Sequence, residues 1–68
     1  MEYYKFSAGR GYEYVRLDRA GMTAWYFDDL DLEWVEQPAY FTEIISNGGG
    51  VPMTESEALD AVGHLQSA

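Results

Sequence analysis

Gly11-Tyr12-Glu13-Tyr14-Val15-Arg16-Leu17-Asp18-Arg19-Ala20-Gly21 is the stretch on which the fold turns. Over 12–17 an extended chain puts Tyr12, Tyr14 and Arg16 on one face and Glu13, Val15 and Leu17 on the other. Asp18-Arg19-Ala20-Gly21 then has Asp first and Gly last, the preference of a type I turn. A strand followed by a reversal predicts a hairpin. Upstream, Glu2-Tyr3-Tyr4-Lys5-Phe6-Ser7 is short and aromatic and runs into Ala8-Gly9-Arg10-Gly11, a hairpin-type loop. Downstream, residues 22–28 form a third strand, with Thr23, Trp25 and Phe27 facing away from Met22, Ala24 and Tyr26. Three successive strands joined by tight turns make an antiparallel meander.

Further along, Leu30, Leu32 and Trp34 alternate with Asp29, Asp31 and Glu33. The period of two predicts a fourth strand with one apolar and one acidic face, ended by Pro38. From Pro38 to Ser46 two conformations compete. Tyr-Phe-Thr-x-Ile-Ile has high β propensity. A helix would place Pro38 in its first turn, Phe41, Ile44 and Ile45 on its apolar face, and Asn47-Gly48 at its end. The helix is preferred.

Thr54-Glu55-Ser56-Glu57 is a capping box. The Thr54 hydroxyl accepts from the Glu57 amide and the Glu57 carboxylate reaches back. Ala58, Leu59, Val62 and Leu65 follow on one helical face. The expected architecture is α+β, one domain over residues 1–68. It has a small antiparallel sheet of three to four strands, a C-terminal α-helix packed on one face, and a short helix at 38–46.

The chain has 68 residues, no Cys, and 16 % aromatic residues. A core this small is marginal, and bulky rings are an efficient way to build it. The aromatics outnumber what one covered sheet face can hide, so a homodimer through an open aromatic face is one expectation. There Arg16, beside Tyr12 and Tyr14, could make cation–π contacts. No apolar run is long enough for a membrane span, and the N-terminus lacks the basic and apolar parts of a signal peptide. Cytoplasmic residence is the expectation.

Charge is distributed unevenly. Lys5, Arg10, Arg16 and Arg19 are the four bases, and residues 1–21 carry a net +1. Residues 22–68 carry nine acids and no base, a net −9, so the whole chain stands at −8. Such a field repels nucleic acids and anionic membranes and attracts basic partners. Ordinary solvation of an amphipathic surface also uses acids, but solvated faces usually mix both signs. The densest cluster is Asp28, Asp29, Asp31, Glu33, Glu36 and Glu43. If 29–34 is extended, its carboxylates stand about 6.6–6.8 Å apart in a row, backed by Leu30, Leu32 and Trp34 in a core. That row could occupy an Arg/Lys groove built for phosphates.

Catalytic and metal chemistry find little support. His64 is the single histidine and reads as a helix-end residue favoured by the dipole. No Cys nucleophile exists, and no serine has a motif that would supply a base. Asp29-x-Asp31-x-Glu33 begins like a calcium loop. It then places Trp34 where Gly is required and Tyr40 where a bidentate Glu is required. Neither Gly9-Arg10-Gly11 nor Gly48-Gly49-Gly50 completes a phosphate loop. No enzymatic activity, cofactor or metal site is expected.

Asp28-Asp29-Leu30-Asp31-Leu32-Glu33-Trp34-Val35-Glu36, the charge balance, the small size and the absence of cysteine together carry a resemblance in kind. The chain resembles the small acidic inhibitors that phages and mobile elements use against host nucleases, the anti-CRISPR proteins above all. The resemblance implies a nucleic-acid mimic that inhibits a basic nucleic-acid-binding protein or nuclease complex, a CRISPR effector foremost. It would act in the cytoplasm, the host's if the chain is phage-encoded, without binding nucleic acid or membrane itself. Asp28, Asp29, Asp31, Glu33, Glu36 and Glu43 would be the partner-binding residues, extended by Glu55, Glu57 and Asp60. Two alternatives stand beside it: an immunity protein that plugs a basic nuclease toxin, and a structural domain that dimerises through its aromatic face.

Overall fold

The computed structural model describes residues 1–67. The elements run β1 (Glu2–Ala8), β2 (Gly11–Asp18), β3 (Thr23–Asp28), β4 (Glu33–Glu36), α1 (Ala39–Asn47), β5 (Val51–Met53) and α2 (Glu55–Ser67). The strands form one antiparallel sheet in the order β4-β3-β2-β1-β5. The α+β class is as expected, with the meander at its centre and the helix over 38–46 present as α1. The sheet has five strands rather than three or four. The addition is β5, three residues that pair Val51 with Lys5, Pro52 with Tyr4 and Met53 with Tyr3. Pro52 can sit there because β5 is an edge strand, with no neighbour waiting for its missing N–H.

Cross-strand register defines the two faces. Tyr4, Val15, Tyr26 and Val35 are successive partners across β1–β4 and share one face. On it Val15, Leu17 and Ala24 are buried with Ile44 of α1, and Tyr4, Phe6, Tyr26, Tyr40 and Phe41 pack around them. The α1 face is therefore Tyr40, Phe41 and Ile44. Ile45, expected on it, is exposed. Tyr3 and Phe27 are buried on the opposite face. There α2 lies against β1, with Ala58 and Val62 buried. Leu59, expected on the packed face of α2, is 51 % exposed. Helices cover both sides of the sheet, so the expected open aromatic face is corrected: most of the rings are packed within the chain.

Local chemistry explains the boundaries. Pro38, at φ −59°, leads α1, and Gly48, in the left-handed region at φ 65°, ends it. The Gly49 amide donates to the Glu43 carbonyl at 3.0 Å, closing the last turn. Gly50, at φ 81°, lets the chain press onto Phe6: a Cβ there would stand 3.0 Å from the ring. The triple glycine is thus a helix stop followed by a close approach. At α2 the capping box forms as expected. The Glu57 amide donates to Thr54 Oγ1 at 3.1 Å, and the Thr54 amide donates to Glu57 Oε1 at 3.0 Å.

Candidate acidic interface

The expected strand over 29–34 is corrected. Residues 29–32 form a turn, and β4 begins only at Glu33. Asp28 causes this. Its Oδ1 accepts from the amides of Leu30, at 2.9 Å, and Asp31, at 3.2 Å, a local arrangement that competes with the strand ladder. Leu32 adopts φ 57°, a conformation uncommon for a branched side chain. The expected apolar backing is absent: Leu30 is 89 % exposed and Leu32 42 % exposed. No evenly spaced row of carboxylates exists at 29–34.

The predicted residues instead form three groups. Asp28, Asp29, Asp31 and Glu33 surround the β3–β4 turn, with Asp28 and Glu33 directly paired across the strands. Glu36 lies at the far end of β4, about 10 Å along the strand from Glu33. It faces the other side of the sheet, where it accepts from the Thr23 hydroxyl at 2.8 Å. Glu43 is on α1, accepting from Asn47 Nδ2 at 3.0 Å, beside Gly49 and away from β4. The turn group is the one compact anionic surface that these six residues make.

That group borders a groove the sequence did not reveal. The β2–β3 ladder runs from the Asp18–Thr23 pair to the Val15–Tyr26 pair. Beyond it, residues 11–14 pair with β1 and residues 27–28 pair with β4. The sheet splits into two hairpins, and a groove of about 570 Å³ opens between them. Glu13, Asp28 and Asp29 line it together with Tyr12, Tyr14 and Phe27, and Leu65 of α2 closes one side. No Lys or Arg is among its lining residues. Glu13 belongs to the part of the chain with net charge +1, and the alternation over 12–17 and 22–28 carries no sign of a gap.

Three of the four bases, Lys5, Arg16 and Arg19, are engaged close to the sheet. Arg19 makes a two-point contact with Glu2, Nε to Oε2 at 2.6 Å and Nη2 to Oε1 at 2.9 Å. This contact holds the Glu2 carboxyl below the usual range. Lys5 lies 4.6 Å from the centre of the Tyr12 ring. Arg16 stacks between Trp25 and Trp34, at 5.0 and 4.8 Å, rather than on Tyr12 or Tyr14. Burial, reinforced by the Glu13 carboxylate, pushes the Tyr40 phenol up to about 12. The Glu57 carboxyl is held low by the Thr54 amide it accepts.

Among the described residues no group of three or more His, Asp or Glu side chains is arranged to hold a metal ion. No described helix is long and apolar enough to cross a membrane. Compared with known protein families, curated proteins and solved structures, the chain matches none.

Proposed function

We propose that the protein is a stoichiometric inhibitor that binds a basic, nucleic-acid-handling protein by presenting carboxylates where phosphates would lie. A CRISPR effector is the target class we favour, and the setting is the cytoplasm of the cell that carries it. The observation that supports this reading most is the run of nine acids without one base after Arg19. Four of the nine gather on one turn held by the Asp28 side chain. The surface differs from a linear phosphate row. It is a compact anionic cap on one end of the sheet, suited to one basic pocket rather than a long groove.

The test uses the triple variant Asp29→Lys, Asp31→Lys, Glu33→Lys, which leaves the turn-forming Asp28 in place. All three side chains are exposed, so the melting temperature should stay close to that of the parent. Tagged parent protein is washed against host lysate at low and then high salt, and the captured nuclease is tested for DNA binding with and without the inhibitor. The reading expects capture that weakens with salt, displacement of DNA by the parent, and neither effect with the variant. A variant that still displaces DNA would overturn it.

A further inference from the structure

The sheet has two edges, and they are not alike. At the end of β4 the Gln37 amide donates to the Ala24 carbonyl at 2.8 Å. In an antiparallel ladder the pairing side alternates residue by residue. Glu33 and Val35 therefore turn their backbone groups towards β3, and Trp34 and Glu36 turn theirs away from the sheet. Carried across the other three ladders, the same alternation turns Pro52 outward on β5. Proline has no N–H, so that edge lacks its donor. The β4 edge offers two amides and two carbonyls, and no described strand lies beyond it. Glu33, Glu36 and Gln37 are exposed along it, with Trp34 and Val35 half-buried between them.

Side chains decide what pairs there. Glu33 and Val35 stand on the α1 face of the sheet, Trp34 and Glu36 on the α2 face. Residues directly opposite in a ladder share a face and interact, so each guest side chain meets one of these four. The complementary guest is basic opposite Glu33, apolar opposite Val35 and Trp34, and basic opposite Glu36. Glu-Trp-Val-Glu is acidic at both ends and apolar between, so the order basic-apolar-apolar-basic serves in either strand direction. A second copy is disfavoured, because it would bring its own Glu33 and Glu36 and another net charge of −8 to the same edge.

We infer that β4 takes up an extended basic segment of the partner as an added strand, held by the outward backbone of Trp34 and Glu36 and selected by Glu33 and Glu36. The inference deepens the inhibitor reading: it rests on that reading for a basic partner and adds the backbone that grips it. The acidic turn at the head of β4 draws in the basic surface, and the edge fixes one segment of it in register.

The probe is acetyl-Thr-Arg-Val-Val-Arg-Thr-amide, titrated into the ¹⁵N-labelled full chain. The expected result is saturable shifts centred on the amides of 33–37, with slowed hydrogen exchange at Trp34 and Glu36. The analogue with glutamate in place of both arginines should bind about tenfold more weakly, since two attractive cross-strand pairs become repulsive. Two further analogues carry N-methyl groups on alternate residues of Arg-Val-Val-Arg. One set of amides faces β4 and the other faces away, so one analogue should lose binding and the other keep it. The double variant Glu33→Lys, Glu36→Lys, changed at exposed positions, should prefer the glutamate peptide. Shifts that never saturate, equal behaviour of the two N-methyl analogues, or indifference to the sign of the peptide's charge would overturn the inference. Shifts at 33–37 that grow with protein concentration alone would put a second copy on the edge and overturn it too. DNA displacement by the full protein is scored separately. If it persists while β4 fails to bind the peptide, the edge inference alone falls. If the peptide binds but DNA is never displaced, the inhibitor reading falls.

Discussion

Arg16 occupies a position in β2 where an aliphatic residue would be expected. Its neighbours Val15 and Leu17 are fully buried on the opposite face, and its own side chain lies between Trp25 and Trp34 with an Nε that is buried and unpartnered. A guanidinium tolerates this better than other cations because it is weakly hydrated and flat, and its stem packs as hydrocarbon. Each ring contact contributes about 0.5–2 kcal/mol. Urea unfolding followed by tryptophan fluorescence should therefore rank parent above Arg16→Met, which keeps the stem and loses the stacking, and Arg16→Met above Arg16→Ala. Equal midpoints would show that the sandwich contributes nothing. Tyr40 supports a second residue-scale prediction. Its phenol is neutral when folded up to about pH 12, whereas an unfolded tyrosine ionises near pH 10. The stabilisation from this group is complete below pH 10 and is lost as pH rises from 10 through 12. Alkaline unfolding of Tyr40→Phe should lack that component, as seen in a pH series of urea midpoints.

At the scale of elements, α2 depends on its first turn. Among its described residues only Ala58 and Val62 are buried, with Ala61, Gly63 and Leu65 half-buried, so the reciprocal Thr54–Glu57 cap matters to its stability. Thr54→Ala should cost about 1 kcal/mol in urea unfolding, and Thr54→Ser should restore most of it. This box was legible in the sequence because capping is local: the pattern Thr-x-x-Glu contains the whole interaction. The end of α1 was legible for the same reason, in Asn47-Gly48. The segment 29–34 was misread because a period of two is only a strand signal when one face finds a core. Leu30 and Leu32 find none, since the Asp28 side chain bends the chain first. β5 was invisible because Val51-Pro52-Met53 has meaning only against β1, almost the whole chain away. Of the candidate site, the acids could be listed from the sequence. Their division into one cap and two outlying groups could not, because it depends on where the sheet splits.

At the scale of the whole molecule, a charge of −8 on 68 residues acts on folding and binding with opposite signs. Self-repulsion opposes the compact state, so added salt should raise the melting temperature of the free protein. The same salt should weaken the proposed complex with a basic partner. A scan from low to about 0.5 M sodium chloride, where screening extends over only a few ångströms, separates the two: a falling melting temperature would show that self-repulsion is unimportant. The position of β5 has a mechanical consequence. β1 is held on both sides, by β2 and β5, whereas the route in from α2 meets a helix and then only three residue pairs. An unfolding motor that grips the chain beyond α2 would peel helix and strand in small steps. One that grips ahead of β1 must shear a central strand from both neighbours at once. Survival inside a cell would then depend on which end carries the degradation tag, a direction of weakness written into the strand order.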